Sequence, residues 1–173
     1  MKSTAQGDAH VLGSLRSVDG KGAVRMEDRF DTDIENLWSA LSDPGRLQRW
    51  LGEVDGELRV GGHFRAHFFA SGWEGTGRVQ ACEPTRHFLV ITAEDEASDE
   101  HSVSATLRAD GAQSVLVFEE RGMPLEQVAA YGAGVQVHVE DLGAHLTGRG
   151  RCDAQARMTE LMPAYQQLET SIG

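Results

Sequence analysis

Between residues 31 and 52, apolar side chains recur at every third or fourth position, and this spacing predicts a short helix. Asp31, Thr32 or Asp33 can cap its first turn. Pro44 ends it, because proline disfavours helical backbone in the preceding residue, and the same proline suits the first turn of a second helix. Each helix then has an apolar face that must pack against the rest of the chain. The apolar residues are Ile34, Leu37, Trp38 and Leu41 in the first helix and Leu47, Trp50 and Leu51 in the second.

Alternating apolar and polar residues on either side of these helices predict an antiparallel meander. Upstream, a turn at residues 19–22 separates two extended segments and indicates a hairpin. Downstream, the acidic run at residues 94–100 favours a solvated loop. Residues 88–91 form the most apolar part of any strand, so that strand is expected to lie centrally in the sheet. The predicted extended segments cover residues 11–18, 23–30, 63–69, 75–82, 86–93, 102–107 and 114–120.

From Leu125 onward the apolar spacing changes to threes and fours, which predicts a helix of about twenty residues with one buried stripe. Gly132 and Gly134 lie inside it, and a glycine costs about 1 kcal/mol relative to alanine within a helix. We therefore expect the backbone there to pass close to another element, or the helix to bend or break. A last helix is expected after Asp153, with a kink or an early break at Pro163.

The composition indicates one soluble domain of 173 residues. The first residues do not resemble a secretory signal, and no apolar run approaches the roughly 18 residues of a membrane span, so we expect a cytoplasmic protein that makes no membrane contact. A formal net charge of −11 repels phosphate backbones and anionic surfaces, so nucleic acid is not an expected partner. Cys82 and Cys152 show no zinc-binding spacing and are expected to be reduced thiols.

A series of short motifs resembles the START/SRPBCC superfamily, and within it the branch named after the activator of the heat-shock-protein-90 ATPase. The motifs are Leu37-Trp38-Ser39-Ala40-Leu41, Asp43-Pro44, Leu47 with Arg49-Trp50, Gly61-Gly62, Gly77-Arg78-Val79 with Glu83-Pro84, and residues 116–122 before the long helix. The resemblance covers residues 23–147. The chain departs from the branch at Glu120 and Val135, where the branch often has a histidine and a tryptophan, so the pocket chemistry does not transfer by analogy.

This resemblance implies an α+β helix-grip fold, in which a curved antiparallel sheet with two short helices wraps around a long C-terminal helix. We expect flexible residues 1–10, a helix-grip domain over residues 11–147 and a C-terminal helical extension over residues 148–173. The resemblance also implies a cavity between the sheet and the long helix, which in many relatives holds an apolar small molecule. Space on the concave side of such a sheet is either plugged by large side chains or left open.

Eleven residues are the expected ligand-binding set. Seven of them are apolar wall residues, each of which would more often be an ordinary core residue: Phe64, Phe68, Leu116, Phe118, Val135, Val139 and Leu142. The glycine-rich loop that carries Trp73 is expected to cover one mouth of the cavity. The set is Phe64, Phe68, Trp73, Leu116, Phe118, Glu120, Tyr131, Val135, His138, Val139 and Leu142.

Glu120 and His138 are the candidates for chemistry in this set. Glu120 shares a strand face with apolar residues, so a buried carboxylate there needs a partner, for which we consider Arg78 or His138. Such a cluster can orient the polar end of a ligand or act as a general acid or base. The favoured alternative places Glu120 and His138 in water at the rim. The seven histidines show no metal-binding spacing, and neither a metal nor another cofactor is expected.

Binding of an apolar small molecule is therefore the favoured function. One alternative is a protein-binding module that regulates a chaperone or another ATPase, which predicts a filled cavity and an exposed apolar patch. Another is an enzyme of the cyclase, dehydratase or hydrolase kind, which requires polar side chains that converge inside the same cavity.

Overall fold

The computed structural model describes residues 10–172, so the expected flexibility of residues 1–9 lies outside the described residues. Helices and strands follow one another in an order close to the predicted one. They are β1 (Gly13–Val18), β2 (Lys21–Phe30), α1 (Ile34–Ser42), α2 (Pro44–Trp50), β3 (Gly52–Gly56), β4 (His63–Phe68), β5 (Glu74–Glu83), β6 (His87–Ala93), β7 (His101–Asp110), β8 (Gln113–Met123), α3 (Val128–Leu146) and α4 (Ala154–Glu169).

The helix pair α1 and α2 follows the sequence signals closely. Asp33 is the cap of α1, accepting a hydrogen bond of 2.7 Å from the backbone N–H three residues later. Asp43 ends α1 and caps α2, while Pro44 occupies the first turn of α2. The buried indole of Trp50 donates to the carbonyl of Ala40 at 2.9 Å. This bond joins the two helices into one support beneath the sheet.

All eight strands form one curved, unclosed antiparallel sheet in the order β1-β2-β8-β7-β6-β5-β4-β3. Strands β6 and β7 occupy the middle, as the apolar character of residues 88–91 predicts. The ladder is interrupted between Gly22 and Ala23 and between Val79 and Ala81, and such irregularities increase the local twist of a strand. Together with α3 on the concave side, this architecture confirms the predicted α+β helix-grip fold.

Strand β3 was not predicted from the pattern of apolar residues. Its sequence, Gly-Glu-Val-Asp-Gly, contains only Val54 as an apolar residue and therefore shows no alternation. The strand forms by pairing with β4, and Gly52 permits a close approach there, because a Cβ on Gly52 would lie 2.1 Å from the carbonyl oxygen of His67. Tertiary pairing, rather than local propensity, determines this element.

Helix α3 is buried on more than one side, so the expectation of a single buried stripe is wrong. Val135 and Val139 lie on the side of the sheet, whereas Gln136 is fully buried against α4 and the segment before β1. The close approach expected at the glycines is confirmed for Gly132, where a Cβ would lie 2.6 Å from the ring of Tyr165. At Gly134 a Cβ would meet nothing within 4 Å, and the helix continues without a break.

Pro163 lies inside α4 and does not end it, so the predicted early break is wrong. The helix continues to Glu169 although a proline in a helix interior costs about 3 kcal/mol. Leu161 and Tyr165, on either side of the proline, are fully buried against the rest of the molecule. Their burial offsets the cost of the missing backbone hydrogen bond.

None of the helices between residues 10 and 172 combines the length and the apolar character needed to cross a membrane.

Candidate ligand-binding cavity

The concave side of the sheet and helix α3 enclose a cavity of about 480 Å³. Small-molecule sites in proteins span about 300–1,000 Å³, so this volume suits a ligand of ordinary size. Strands β4, β6, β7 and β8 form one wall and α3 forms the opposite wall. The helix pair, the turn at residues 70–73 and Met158 from α4 complete the enclosure.

The structure places all eleven residues of the expected set on the wall of this cavity. They come from the strands (Phe64, Phe68, Leu116, Phe118 and Glu120), from the turn before β5 (Trp73) and from α3 (Tyr131, Val135, His138, Val139 and Leu142). The alternation along β8 explains three of them, because residues 116, 118 and 120 point to the same face. Each of the five residues on α3 lies three or four positions from another of them, so the helical repeat brings them to one face.

Aromatic side chains make up much of the wall. Seven of the eleven aromatic residues of the chain line the cavity, and the aromatic pair Phe68 and Trp73 lies with ring centroids 5.0 Å apart. Sequence reasoning missed Trp50 and Phe88, which also line it. The signals were present, since Trp50 lies on the apolar side of α2 and Phe88 on the most apolar strand.

His138 and Gly134 lie one helical turn apart on α3 and both border the cavity. The imidazole of His138 lies edge to face against Phe68 with a centroid distance of 5.5 Å. Its Nδ1 is buried and has no hydrogen-bond partner within the described residues. Burial lowers the pKa of His138 to about 4, so the ring is neutral at pH 7. Next to it, the missing side chain of Gly134 leaves open space.

Glu120 lies at the polar end of the cavity and is paired with His101. Its Oε2 lies 2.8 Å from Nδ1 of His101, and the side chains are only 15% and 14% exposed. The ring of His101 lies 5.3 Å from that of Tyr131 on α3. Burial raises the pKa of Tyr131, and the negative charges of Glu120 and Glu94 raise it further, so the phenol stays protonated.

These contacts correct two expectations about Glu120. The expected partners were Arg78 and His138, but Arg78 pairs with Glu100 at 2.8 Å on the outer side, and the partner of Glu120 is His101. The favoured placement of Glu120 and His138 in water at the rim is also wrong, because both side chains line the cavity and are largely shielded from solvent.

Histidine, cysteine, aspartate and glutamate are the side chains that most often bind a metal ion in proteins. In the part of the chain that the structure describes, no group of three or more of them is placed to hold a metal ion. Cys82 and Cys152 are free thiols. Burial raises the pKa of both thiols, and for Cys152 the neighbouring Asp141 adds to the effect and the value reaches about 11.

Residues 31–147 match the family model described as "Activator of Hsp90 ATPase homolog 1-like protein". The chain belongs to this family. The matched range contains α1, α2, all strands from β3 to β8 and α3, which are the elements that form most of the cavity wall. This family assignment confirms the resemblance seen in the sequence motifs. No curated protein matched in sequence.

Three solved structures illustrate the likeness in fold. CalU16 from Micromonospora echinospora is 24% identical, covers 92% of this chain and 96% of its own, and superposes with a TM-score of 0.76. DynU16, described as a putative protein in the dynemicin biosynthetic locus, is 26% identical over 76% of this chain and 50% of its own, with a TM-score of 0.69. MLL2253 from Mesorhizobium loti is 27% identical over 73% of this chain and 97% of its own, with a TM-score of 0.62.

Proposed function

We propose that this protein binds an apolar small molecule in the cavity between the sheet and α3. The observation that carries the proposal is the open volume of about 480 Å³, bordered mainly by apolar side chains. Protein interiors are normally packed without such voids, and an unfilled apolar space loses the contacts that filling it would provide. A fold that keeps this space open is suited to an occupant that supplies those contacts.

The aromatic wall supports a ligand with a flat ring system. Seven aromatic side chains border the cavity, and aromatic rings favour offset or edge-to-face contacts with other rings. DynU16 is described as a putative protein of a biosynthetic locus, which supports a small-molecule role for this fold.

The protein-binding alternative has less support. It predicts a filled cavity and an exposed apolar patch, whereas the cavity is open. Among the described residues, Val60 is the exposed large hydrophobic side chain, and one such residue does not form a patch.

An enzyme that uses the same cavity is the second candidate, because Glu120, His101 and Tyr131 do converge at one end of it. A carboxylate that is hydrogen-bonded to an imidazole can exchange a proton with a bound molecule. Binding precedes any such chemistry, so the test of binding comes first.

Native mass spectrometry of freshly purified protein tests the proposal, because a co-purifying molecule appears as added mass. Leu116→Trp fills the cavity from β8, and Val117→Trp adds the same ring on the outer face of that strand as the matched control. We expect added mass with wild type and with Val117→Trp and none with Leu116→Trp. Incubation with N-phenyl-1-naphthylamine, a neutral apolar fluorophore, provides the same comparison if the natural ligand is lost during purification.

Leu116 is part of the packed core, so Leu116→Trp could lose binding simply by misfolding. A second cavity-filling variant avoids this ambiguity. Gly134→Leu extends a side chain into space where a Cβ meets no atom within 4 Å, so the backbone need not move. Equal fluorophore binding by wild type, Leu116→Trp and Gly134→Leu, all folded by circular dichroism, would refute the proposal.

A further inference from the structure

The charged groups that border the cavity have one sign. Its wall contains the carboxylates of Glu94 and Glu120, and no lysine or arginine from residues 10–172 contributes to it. The only histidine on the wall itself, His138, is neutral at pH 7 because burial lowers its pKa to about 4. An apolar ligand that ends in a carboxylate would therefore meet no cationic partner on this wall.

The described part of the chain leaves part of the hydrogen-bond acceptor capacity of Glu120 unused. A carboxylate offers about four lone-pair positions, and Oε2 of Glu120 engages one donor, Nδ1 of His101. Within the described residues, Oε1 has no hydrogen-bond partner, although the side chain is only 15% exposed. The phenol of Tyr131, which lies against His101, also has no hydrogen-bond partner there. Two polar groups thus border the cavity at one end with unused hydrogen-bonding capacity.

Arg78, Arg121 and Lys21 do not line the cavity and are engaged in ion pairs elsewhere. Arg78 pairs with Glu100, Arg121 with Glu119 and Lys21 with Asp99. Their side chains are 43–46% exposed, so solvent screens their charge from the cavity. Among these neighbours, His101 is the group that contacts the Glu120 carboxylate directly.

A second, independent observation comes from His138, two helical turns along α3 from Tyr131 on the same face. Its ring borders the cavity, yet its buried Nδ1 has no hydrogen-bond partner among residues 10–172. Buried polar atoms without hydrogen-bond partners are rare in native proteins, because burying them unpaired costs free energy. A ligand with a hydrogen-bonding group would reduce that cost. Seven residues of helix span about 10 Å, which is the distance between the two polar positions along α3.

We propose that the ligand of this cavity is a cationic amphiphile, whose apolar ring system fills the space along α3 and whose protonated amine donates to the Glu120 carboxylate beside Tyr131. This proposal rests on the proposed function, because it specifies the ligand class of the same cavity. An ammonium group provides three donors, so it can engage Oε1 of Glu120 and the Tyr131 oxygen together. Charge-assisted bonds of this kind are about twice as strong as neutral ones.

Fluorescence titration at pH 7.5 with three dansyl probes tests the proposal. The probes share the same fluorophore and a similar alkyl chain and differ in the group at the end of that chain. Dansylcadaverine ends in an amine, dansyl pentylamide ends in a methyl group, and dansyl-6-aminohexanoic acid ends in a carboxylate. We expect the amine to bind at least tenfold more tightly than the neutral probe and the carboxylate to bind most weakly. Glu120→Gln should reduce the ratio of affinities between the amine and the neutral probe to less than about threefold.

Glu119→Gln is the matched control, because it removes one negative charge from the neighbouring position on β8 but from the outer face, where Glu119 pairs with Arg16 and Arg121. This variant should keep the tenfold preference, which separates a contact in the cavity from attraction by the net charge of −11. Equal binding of amine and neutral probe by wild type, or an unchanged preference in Glu120→Gln, would overturn the proposal of a cationic ligand while leaving the binding function standing. Failure of all three probes to bind, together with failure of N-phenyl-1-naphthylamine, would overturn both.

Discussion

The hydroxyl of Tyr165 donates a hydrogen bond of 2.5 Å to Oε1 of Gln136, and both side chains are fully buried between α3 and α4. The same amide accepts from the backbone N–H of Leu12 at 3.0 Å and donates to the carbonyl of His10 at 2.7 Å. Gln136 therefore connects α3, α4 and the segment before β1. These three parts of the chain pack together around Gln136 and Tyr165, neither of which lines the cavity.

Removal of this connection should destabilise the protein without changing the cavity. Tyr165→Phe leaves Oε1 of Gln136 with one donor, and we expect the free energy of unfolding to fall by about 1–2 kcal/mol. Gln136→Leu should cost more, about 3 kcal/mol, because it leaves the Tyr165 hydroxyl and two backbone groups unpaired. Urea denaturation measures both values. Tyr131→Phe is the control, because the Tyr131 hydroxyl has no partner within residues 10–172, and an equal loss in that variant would contradict the assignment.

Gly132 and Gly134 of α3 should respond in opposite directions to the same substitution. Gly132→Ala places a Cβ 2.6 Å from the ring of Tyr165, which is buried and hydrogen-bonded and cannot easily move, so we expect a net loss of about 1–3 kcal/mol. Gly134→Ala meets no atom within 4 Å and should gain about 0.5–1 kcal/mol from helix propensity. Thermal unfolding compares the two variants. A stabilised Gly132→Ala would show that α4 does not pack as described.

Local signals in the sequence account for most of the fold. Asp33 and Asp43 cap helices through contacts with residues two or three positions away, and strand alternation depends only on neighbouring residues. The predictions that were wrong concern places where segments distant in the sequence pack together. The cover of α3 by α4 and the continuity of α4 through Pro163 depend on contacts such as that between Tyr165 and Gln136, which are 29 positions apart. No short window of sequence contains that information.

The cavity wall could be predicted for the same reason, because alternation on β8 and the helical repeat on α3 define which residues face inward. The partner of Glu120 could not be found from these patterns, since His101 lies 19 positions away on the neighbouring strand. The register of the β7–β8 hairpin contains the missing information. Asp110 pairs with Gln113 across a two-residue turn, and counting back from it places Glu120 opposite Val103, so that His101 lies diagonally across from it.

The planar guanidinium of Arg157, and not only its positive charge, should contribute to the stability of the fold. Its Nε and one terminal nitrogen each lie 2.8 Å from a different oxygen of Glu140, which joins α4 to α3, and the side chains are 19% and 29% exposed. A lysine cannot form this two-point contact, so we expect Arg157→Lys to lower the free energy of unfolding by about 1 kcal/mol. Urea denaturation provides the value. Arg59→Lys, in an exposed pair with Glu57, should cause no measurable change, and equal effects in both variants would refute a specific role for the α3–α4 contact.

His138 should make the stability of the protein depend on pH in one defined window. Burial lowers its pKa to about 4 in the folded state, whereas an unfolded histidine titrates near 6.5. Between these pH values the unfolded chain binds more protons than the folded one. Protonation of this histidine therefore does not affect the free energy of unfolding above about pH 6.5 and lowers it by about 3 kcal/mol as the pH falls to 4.

His138→Leu lacks that contribution, while the carboxylates titrate in both proteins and cancel in the comparison. Urea denaturation of ligand-free wild type and variant at pH values from 4 to 7.5 measures this difference. As the pH falls, the free energy of unfolding of the variant should increase relative to that of the wild type. Parallel curves would mean that the imidazole is not shielded from water, and would remove His138 as the second polar position of the cavity.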